Sequence, residues 1–341
     1  MKRTIAIMTI CLAVAVSHAG LLSSFSKSGT TAAQFLKVQV GARAIGMGGA
    51  YVAMANDVTS IYWNPAGLSR IGPNGGVHFS HANWLADTKF DFAAAAIKAG
   101  SLGTFGLSFT SLSMPDMLVR TEFEPEGTGE FFSAMDMTLG LSYARSITDR
   151  FAVGFNMKYL RQQIWHTSAS SIAFDVGILF QTDFNWLTLG MSIANFGPKM
   201  QYAGKDIFIN YDYDPNAWGD NENIFANLQT DQWDLPLMFR FGLAANILEQ
   251  DMNQLTAAVE ARHPNDNTES LNFGLEYGFR HWVFLRGGYE SLYEAESEKG
   301  VTFGAGLIFY LSSTLPMNLD YAYADWGRLT NVHRFSFEIK F

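Results

Sequence analysis

The chain has 341 residues, a single cysteine and a formal net charge of −9 at pH 7. The negative charge argues against nucleic acid as a partner, and one cysteine excludes a framework of internal disulfides. The mean hydropathy of +0.04 does not identify a soluble protein, because a membrane barrel averages an apolar outer face with a polar lumen.

The first 19 residues have the pattern of a secretory signal peptide. Lys2 and Arg3 form a basic start, an apolar run extends from Ile5 to Val16, and Ser17-His18-Ala19 offers a small-residue cleavage site. The apolar run is too short to cross a bilayer. Cys11 lies within it, so we expect the mature chain to contain no cysteine and to use neither disulfides nor thiol chemistry.

Residues 20–74 are predicted to form a compact N-terminal hatch rather than membrane-spanning strands. This stretch is rich in Gly, Ala and Ser, with helical spacing around residues 32–40. A stretch of this length ahead of the first strand needs space, and the lumen of a wide barrel provides it.

Residues 75–341 repeat one pattern, in which apolar and polar side chains alternate along each segment. In the last segment, Phe335, Phe337, Ile339 and Phe341 share one face and polar residues occupy the other. A period of two over so many segments predicts strands rather than helices. We place strands near residues 75–84, 87–99, 102–113, 133–146, 150–165, 168–182, 185–196, 235–248, 253–264, 268–280, 282–293, 301–311, 315–325 and 332–341. The predicted fold is all-β, a 14-stranded antiparallel transmembrane β-barrel with the hatch plugging its lumen.

The links between these strands alternate in length. Those after even-numbered strands are all short, whereas the long links, residues 114–132, 197–234 and 292–300, fall only after odd-numbered strands. Outer-membrane barrels have short turns at the periplasmic side and longer loops outside, which gives this parity. The pattern therefore predicts a bacterial outer-membrane location, with outer-membrane lipid around the barrel.

Charged residues of both signs are predicted to face the lumen. A structural network is the favoured interpretation, because an ion-selective path usually carries one sign. The predicted inward charges are Asp136, Lys158, Asp175, Arg240, Glu260, Arg262, Glu276, Arg280, Arg286, Asp320, Arg334, Glu338 and Lys340.

The longest link contains a weak candidate for a calcium site. Asp212, Asp214 and Asn216 have the spacing of the first three ligands of a calcium loop. Ala217 replaces the glycine that such loops need, and Asn223 replaces their final glutamate. A solvated acidic loop is the favoured interpretation, and the sequence predicts no metal and no cofactor.

The most specific motif lies within the predicted hatch, in a glycine-rich stretch at 41–53 and a Trp-Asn-Pro-Ala-Gly-Leu stretch at 63–68. It resembles the hatch of FadL-like outer-membrane proteins, and it is most similar to the PorV/PorQ branch. The candidate site residues are Gly41, Arg43, Gly46, Gly48, Gly49, Asn56, Asp57, Trp63, Asn64, Pro65, Ala66 and Gly67. They either fold the hatch, since glycines allow close packing and Asn-Pro favours a turn, or contact a ligand or partner.

The resemblance implies a non-catalytic role. Its PorV/PorQ side implies an accessory or shuttle component of type IX secretion, with translocon subunits and secreted cargo as partners. Its FadL side implies the alternative, a channel for uptake of hydrophobic small molecules. The resemblance also extends to the terminal phenylalanine, and Phe337, Ile339 and Phe341 are predicted to be the signal read by the barrel-assembly machinery. Aromatic residues of the longest link suit protein recognition, or they fold the loop on itself; they are Tyr202, Phe208, Tyr211, Tyr213, Trp218 and Phe225.

Overall fold

The computed structural model describes residues 27–341, except 73, 215, 217–222, 295–296 and 313–314. The predicted signal peptide, residues 1–19, lies outside the described residues, and so does Trp218. In the described part of the chain, no helix is both long and apolar enough to cross a bilayer.

Fourteen antiparallel strands form one closed barrel, in which each strand pairs with its neighbours in the chain and the first pairs with the last. They are β1 (Gly75–Asn83), β2 (Lys89–Lys98), β3 (Thr104–Ser113), β4 (Ala134–Ser146), β5 (Phe151–Ile164), β6 (Thr167–Gln181), β7 (Leu187–Phe196), β8 (Met238–Glu249), β9 (Asn253–Pro264), β10 (Ser270–Phe279), β11 (Val283–Leu292), β12 (Val301–Ser312), β13 (Leu315–Asp325) and β14 (Asn331–Lys340). The predicted 14-stranded antiparallel barrel is confirmed, and every observed strand begins and ends within three residues of its predicted bounds.

The barrel has two different ends. The links after odd-numbered strands meet at one end, the loop end, which carries the long links 114–133, 197–237 and 293–300. The links after even-numbered strands meet at the other, the turn end, and all of them are short. The predicted parity of the links is therefore confirmed.

Side chains alternate between the outer and the inner face as the pattern predicts. In β14, Phe335 and Phe337 are exposed on the outside, whereas Arg334 and Glu338 are buried inside. Leu179 of β6 is a large apolar residue on the inner face, where it packs in an apolar cluster with Ala66 and Ala152.

One predicted inward charge is wrong. Arg280 lies after the end of β10, in the turn to β11, where it is exposed and has a φ of 52°. The alternation of apolar and polar residues continues for one residue beyond the end of β10. The pattern therefore assigned Arg280 to the inner face of a strand to which it does not belong.

Residues 27–72, which we call the N-terminal segment, lie within the barrel and contain only short helices. They are a 3₁₀-helix at Gln34–Lys37, α1 (Ala42–Gly46), α2 (Ser60–Trp63) and a 3₁₀-helix at Pro65–Arg70. The remaining elements lie in the links: 3₁₀-helices at Gly100–Leu102, Lys205–Ile207 and Gly327–Leu329, a ribbon of Met117–Leu118 with Phe131–Phe132, a ribbon of Phe208–Tyr211 with Ile224–Asn227, and Ala203–Gly204 paired with β6.

The N-terminal segment crosses the lumen from the loop end to the turn end. Near its start, the Ala32 amide donates to the Asp234 carbonyl just before β8, and Lys37 reaches Asp266 in the link after β9. At its far end, the Asn74 amide donates to the Phe341 carbonyl beside the start of β1. The chain therefore enters the barrel at the loop end and leaves it at the turn end.

Glycines on the inner face give the N-terminal segment its space. A Cβ atom on Gly154 of β5 would lie 2.2 Å from the Ala66 amide nitrogen, and one on Gly288 of β11 would lie 2.2 Å from that of Gly48. Since real Cβ atoms do not approach so closely, only glycine permits these contacts. The backbone of the N-terminal segment therefore packs directly against the backbone of the wall at both β5 and β11.

Candidate functional site

Arg43 on α1 joins the N-terminal segment to the barrel wall. Its guanidinium donates to both carboxylate oxygens of Glu276 on β10, at 2.9 and 2.8 Å, and to the Asn56 side-chain oxygen at 2.8 Å. Burial alone would lower the pKa of Arg43, but the negative charge of Glu276, with contributions from Tyr51 and Asp57, raises it well above its ordinary value. Arg43 is therefore a fixed positive charge held in a two-point ion pair.

Asp57 organises the middle of the N-terminal segment. Its carboxylate accepts hydrogen bonds from the Thr59 amide at 3.0 Å and from the hydroxyls of Thr59 and Tyr51, and it lies 3.5 Å from Arg43. Burial would raise the pKa of Asp57, but Arg43 and these hydrogen bonds outweigh burial and lower it. Asp57 thus stays ionised although it is buried.

Trp63 belongs to the main apolar cluster and is fully buried. Its indole nitrogen donates to the Val40 carbonyl at 3.0 Å, and its ring meets Tyr62 edge-to-face at 5.1 Å. Arg240 and Arg262 of the wall lie over the indole at 5.4 and 5.8 Å. These cation–π contacts let an apolar core sit inside a charged lumen.

Asn64 and Pro65 make the turn that the sequence predicts. The Asn64 side chain donates to the carbonyls of Val52 and Ile178, at 2.8 and 3.0 Å, and accepts from the Ala66 amide at 3.2 Å. Pro65 is the first residue of the following 3₁₀-helix, a position whose N–H group would have no partner within the helix, so proline loses no hydrogen bond there. One asparagine therefore ties the N-terminal segment to itself and to β6.

Most of the predicted site residues are inaccessible from solvent. Gly48 has a φ of 63°, and its amide donates to the Thr302 hydroxyl at 3.0 Å. Arg43 is half-buried, Asn56 is exposed, and the other ten candidates are buried; they are Gly41, Gly46, Gly48, Gly49, Asp57, Trp63, Asn64, Pro65, Ala66 and Gly67. A direct contact with a ligand or partner stays a prediction, and it is sterically open only to Arg43 and Asn56.

Inward carboxylates of the wall bind the backbone of the N-terminal segment. One oxygen of Glu260 accepts from the amides of Tyr51 and Val52 at 2.9 and 2.8 Å, and Arg262 donates to the Gly49 carbonyl at 3.0 Å. Sequence reasoning placed Glu260 and Arg262 in the lumen but missed this role. The signal was available in principle, since a short-helix segment leaves many backbone donors to satisfy.

Asp266 anchors the segment at the loop end and was missed entirely from the sequence. It accepts from the Thr31 hydroxyl and the Gln34 amide, both at 2.7 Å, and pairs with Lys37 at 3.0 Å. Burial would raise the pKa of Asp266, but the hydrogen bonds from these three residues lower it. Its place in a polar link gave no periodic signal.

A two-stranded ribbon projects from the longest link and exposes aromatic side chains. The Phe208 and Phe225 rings are in contact, with their centroids 4.6 Å apart and their planes tilted by 32°, and Phe225 remains 70% exposed. Every described residue of the strand Phe208–Tyr211 is exposed. Tyr202, in contrast, packs against the apolar cluster beneath the loop, so the predicted aromatic set divides into one folding residue and an exposed group.

The acidic stretch of this link closes its own turns. Asp212 accepts from the Asp214 amide and Asp214 from the Asn216 amide, both at 3.1 Å. Over the residues that the structure describes, no group of three or more His, Cys, Asp or Glu side chains is placed to hold a metal ion.

Each end of the lumen contains a cavity. The turn-end cavity, of about 380 Å³, is polar and is lined in part by Arg43, Asn56, Arg70 and Lys340. The loop-end cavity, of about 250 Å³, is more apolar and lies beside Trp84 and Trp326. Arg43 and Asn56, the accessible motif residues, therefore face the turn end.

Comparison with known proteins agrees with this architecture. The family model described as "Type IX secretion system protein PorV" matches residues 24–214, more than half of the chain, and confirms the resemblance found in the sequence. No curated protein matches the chain.

Among solved structures, the chain is similar to the CymD monoaromatic hydrocarbon channel, with 11% identity, a TM-score of 0.56, and coverage of 89% of this chain and 96% of that one. It is also similar to the Ralstonia pickettii toluene transporter TbuX (11% identity, TM-score 0.53, coverage 88% and 97%). A third match is a Pseudomonas aeruginosa FadL homologue (12% identity, TM-score 0.52, coverage 88% and 97%). At these identities the likeness shows a shared outer-membrane barrel fold.

Proposed function

We propose a role in protein export that proceeds from one premise, that this chain belongs to the PorV family. In this role it is a non-catalytic accessory or shuttle component of type IX secretion, which handles exported proteins at the outer membrane. Residues 1–19 are its export signal, residues 20–74 its hatch, residues 75–341 its barrel, and Phe337, Ile339 and Phe341 its assembly signal.

The observation that carries the proposal is the aromatic ribbon at the loop end. Aromatic side chains, phenylalanine among them, are enriched in protein interfaces relative to the rest of the protein surface. Phe225 is 70% exposed and Tyr211 50%, on a ribbon formed by the backbone pairing of Phe208–Tyr211 with Ile224–Asn227. A paired, exposed aromatic ribbon fits capture of an exported protein or a translocon subunit outside the barrel.

The buried N-terminal segment supports handling at the rim rather than passage through the lumen. Trp63, Tyr51 and Leu68 are fully buried among wall residues, and the segment contacts strands from β1 to β14. A folded or extended protein could not pass while these contacts exist. Partners are therefore expected to bind the loop end from outside.

Pull-down from native membranes tests this proposal. The intact protein is expected to recover secreted proteins or translocon subunits, and Phe208→Ser with Phe225→Ser to recover less than about a tenth as much, a loss typical of interface hot spots. Phe123→Ser, which removes a 92% exposed aromatic from another link, is the matched control and is expected to bind normally. Recovery of lipid and lipopolysaccharide alone would contradict the proposal.

A second candidate, uptake of hydrophobic small molecules, is favoured by the apolar loop-end cavity beside the N-terminal segment. Uptake through the wall also needs an opening between two strands. The pairing of β3 with β2 and with β4 is continuous and offers none. Register shifts make the pairing irregular in the β6–β7, β8–β9, β10–β11 and β12–β13 ladders. Proteoliposomes that accumulate labelled toluene faster than protein-free liposomes would support uptake, and equal rates would argue against it.

A further inference from the structure

The turn-end cavity contains a half-buried cation that no carboxylate of the described chain neutralises. Arg70, the last residue of the 3₁₀-helix Pro65–Arg70, lines this cavity and forms no ion pair with a described residue. Burial lowers the pKa of Arg70 from its ordinary value, whereas at Arg43 in the same lining the charge of Glu276 raises the pKa. A cation that is partly removed from water and lacks a partner favours an anion beside it.

The two carboxylates of the described lining are already paired with other cations. Arg43 and Arg286 both bind Glu276, at 2.8 and 2.7 Å. Arg286 also binds Asp320 at 2.6 Å. These four groups balance one another, so neither carboxylate is available to Arg70.

Lys340, the last residue of β14, adds to the positive charge of the cavity. Its Nζ atom lies 4.0 Å from Glu338, the longest ion-pair distance among the described residues. With Lys340 and Arg70, the described lining has four cations and two carboxylates. Asn56 and Asn185, which also line the cavity, are exposed, so an anion can enter from the turn end.

Uncharged polar side chains define what the anion is attached to. Those on the wall strands include Gln181, Thr188, Asn246, Gln254, Thr256 and Asn318. The Thr256 hydroxyl donates to the Asn246 side-chain oxygen at 3.1 Å, whereas the side chains of Gln254 and Asn318 bind no described residue. Amide groups offer both donors and acceptors, and the hydroxyls of a sugar do the same. The cavity therefore suits a hydroxyl-rich molecule better than an apolar one.

The size of the cavity limits the molecule to a single ring. A volume of about 380 Å³ holds roughly twelve water-sized volumes of about 30 Å³ each. It also falls within the range of small-molecule sites, roughly 300–1,000 Å³. Phe284 and Ile308 add apolar surface, against which the C–H face of a sugar ring can pack. One sugar ring with its substituents fits this space, whereas an oligosaccharide does not.

We propose that the turn-end cavity binds an anionic monosaccharide, with its carboxylate on Arg70 and its hydroxyls on the amides of Gln254 and Asn318. Arg70 belongs to the N-terminal segment, whereas Gln254 lies on β9 and Asn318 on β13. The sugar therefore bridges the segment and the wall at the end of the barrel opposite the aromatic ribbon. For this reason the inference is independent of the proposed role in secretion.

Saturation-transfer NMR of the full chain in lipid nanodiscs tests the proposal with three probes, D-glucuronate, D-glucose and acetate. Glucuronate is expected to bind about tenfold more tightly than glucose, because a hydrogen bond to a charged group adds about this much. It is also expected to bind at least about tenfold more tightly than acetate, which has the charge without the hydroxyls. Glucose or acetate binding as tightly as glucuronate would overturn the proposal.

Two variants assign the charge and the hydroxyl contacts separately. Arg70→Gln is expected to lower the affinity for glucuronate to that for glucose, and glucose binding should remain. Gln254→Leu with Asn318→Leu keeps the cation, so it is expected to weaken both sugars at least about tenfold and to leave acetate unchanged. Arg120→Gln, which removes an exposed cation from the long link 114–133 at the loop end, is the matched control and should change nothing. A preference for glucuronate that survives Arg70→Gln, or sugar binding that survives the double variant, would refute the proposal.

Discussion

The turn end and the loop end of this barrel solve different problems with the same strands. At the turn end, short links and the Arg43–Glu276 pair fix the N-terminal segment to the wall. At the loop end, long links carry an exposed aromatic ribbon, and a cavity remains between the segment and the wall. Under the proposed role, the strands thus present the anchor of the N-terminal segment near one end and the surface for partners at the other.

The largest expected effect tests the direction in which the N-terminal segment runs. Lys27→Cys in a Cys11→Ser background gives a chain with one cysteine, at the start of the described segment, and we expect complete labelling by a membrane-impermeant maleimide on intact cells. Glu124→Cys in a long link is the positive control, and Asp149→Cys in a short turn should label only after permeabilisation. If Lys27→Cys labels like Asp149→Cys, the two ends are assigned wrongly.

Removal of the Arg43 side chain is the strongest test of the anchor nearer the turn end. Arg43→Ala leaves Glu276 and Asp57 without this partner, and breaking a buried pair costs about 3 kcal/mol. We expect the N-terminal segment to become sensitive to protease and the barrel to conduct ions in planar bilayers. Arg70→Ala, a nearby cation with no ion pair among the described residues, is the control. Equal protease resistance of both variants would show that Arg43 does not anchor the segment.

A pair of adjacent glycines tests the close fit between wall and segment. Gly288→Ala places a methyl group against the Gly48 backbone, and overpacking of this kind costs about 2 kcal/mol. Gly287→Ala, on the opposite face of the same strand, meets nothing within 4 Å and is expected to be neutral. Urea unfolding in lipid vesicles measures both, and equal midpoints would contradict the packing described here.

The smallest expected effect concerns the anchor at the loop end and depends on pH. Because the pKa of Asp266 is lowered in the folded protein, its contribution is present above its ordinary value of 3.8 and is lost as pH falls through the lowered pKa. Asp266→Asn should loosen residues 31–37 by about 1.5 kcal/mol at neutral pH and remove this dependence. Hydrogen exchange at residues 31–37 between pH 3 and pH 7 measures this loosening. The same pH profile in Asp266→Asn and in the unaltered protein would contradict the role of Asp266.

The barrel was predictable because the alternation of apolar and polar side chains within one strand shows which face is the outer one. In β14, apolar Phe335 and Phe337 mark the outer face and charged Arg334 marks the lumen, so no other strand needs to be considered. Arg280 was misplaced because the same alternation does not mark where a strand stops.

The candidate site was less predictable because its contacts join residues far apart in the chain. Thr31 meets Asp266, and Tyr51 meets Glu260, across more than two hundred residues. The motif from Gly41 to Gly67 could be recognised as special, but neither spacing nor composition could show which wall residues hold it.

The crossing of the lumen by the N-terminal segment has a consequence for the order of assembly. Trp63 and the residues packed around it are too bulky to be drawn through a sheet that is already complete. We therefore expect β1 and β14 to pair last, after the other strands have formed around the N-terminal segment. The sheet would then close around a segment already in place, and the segment would not enter a closed barrel.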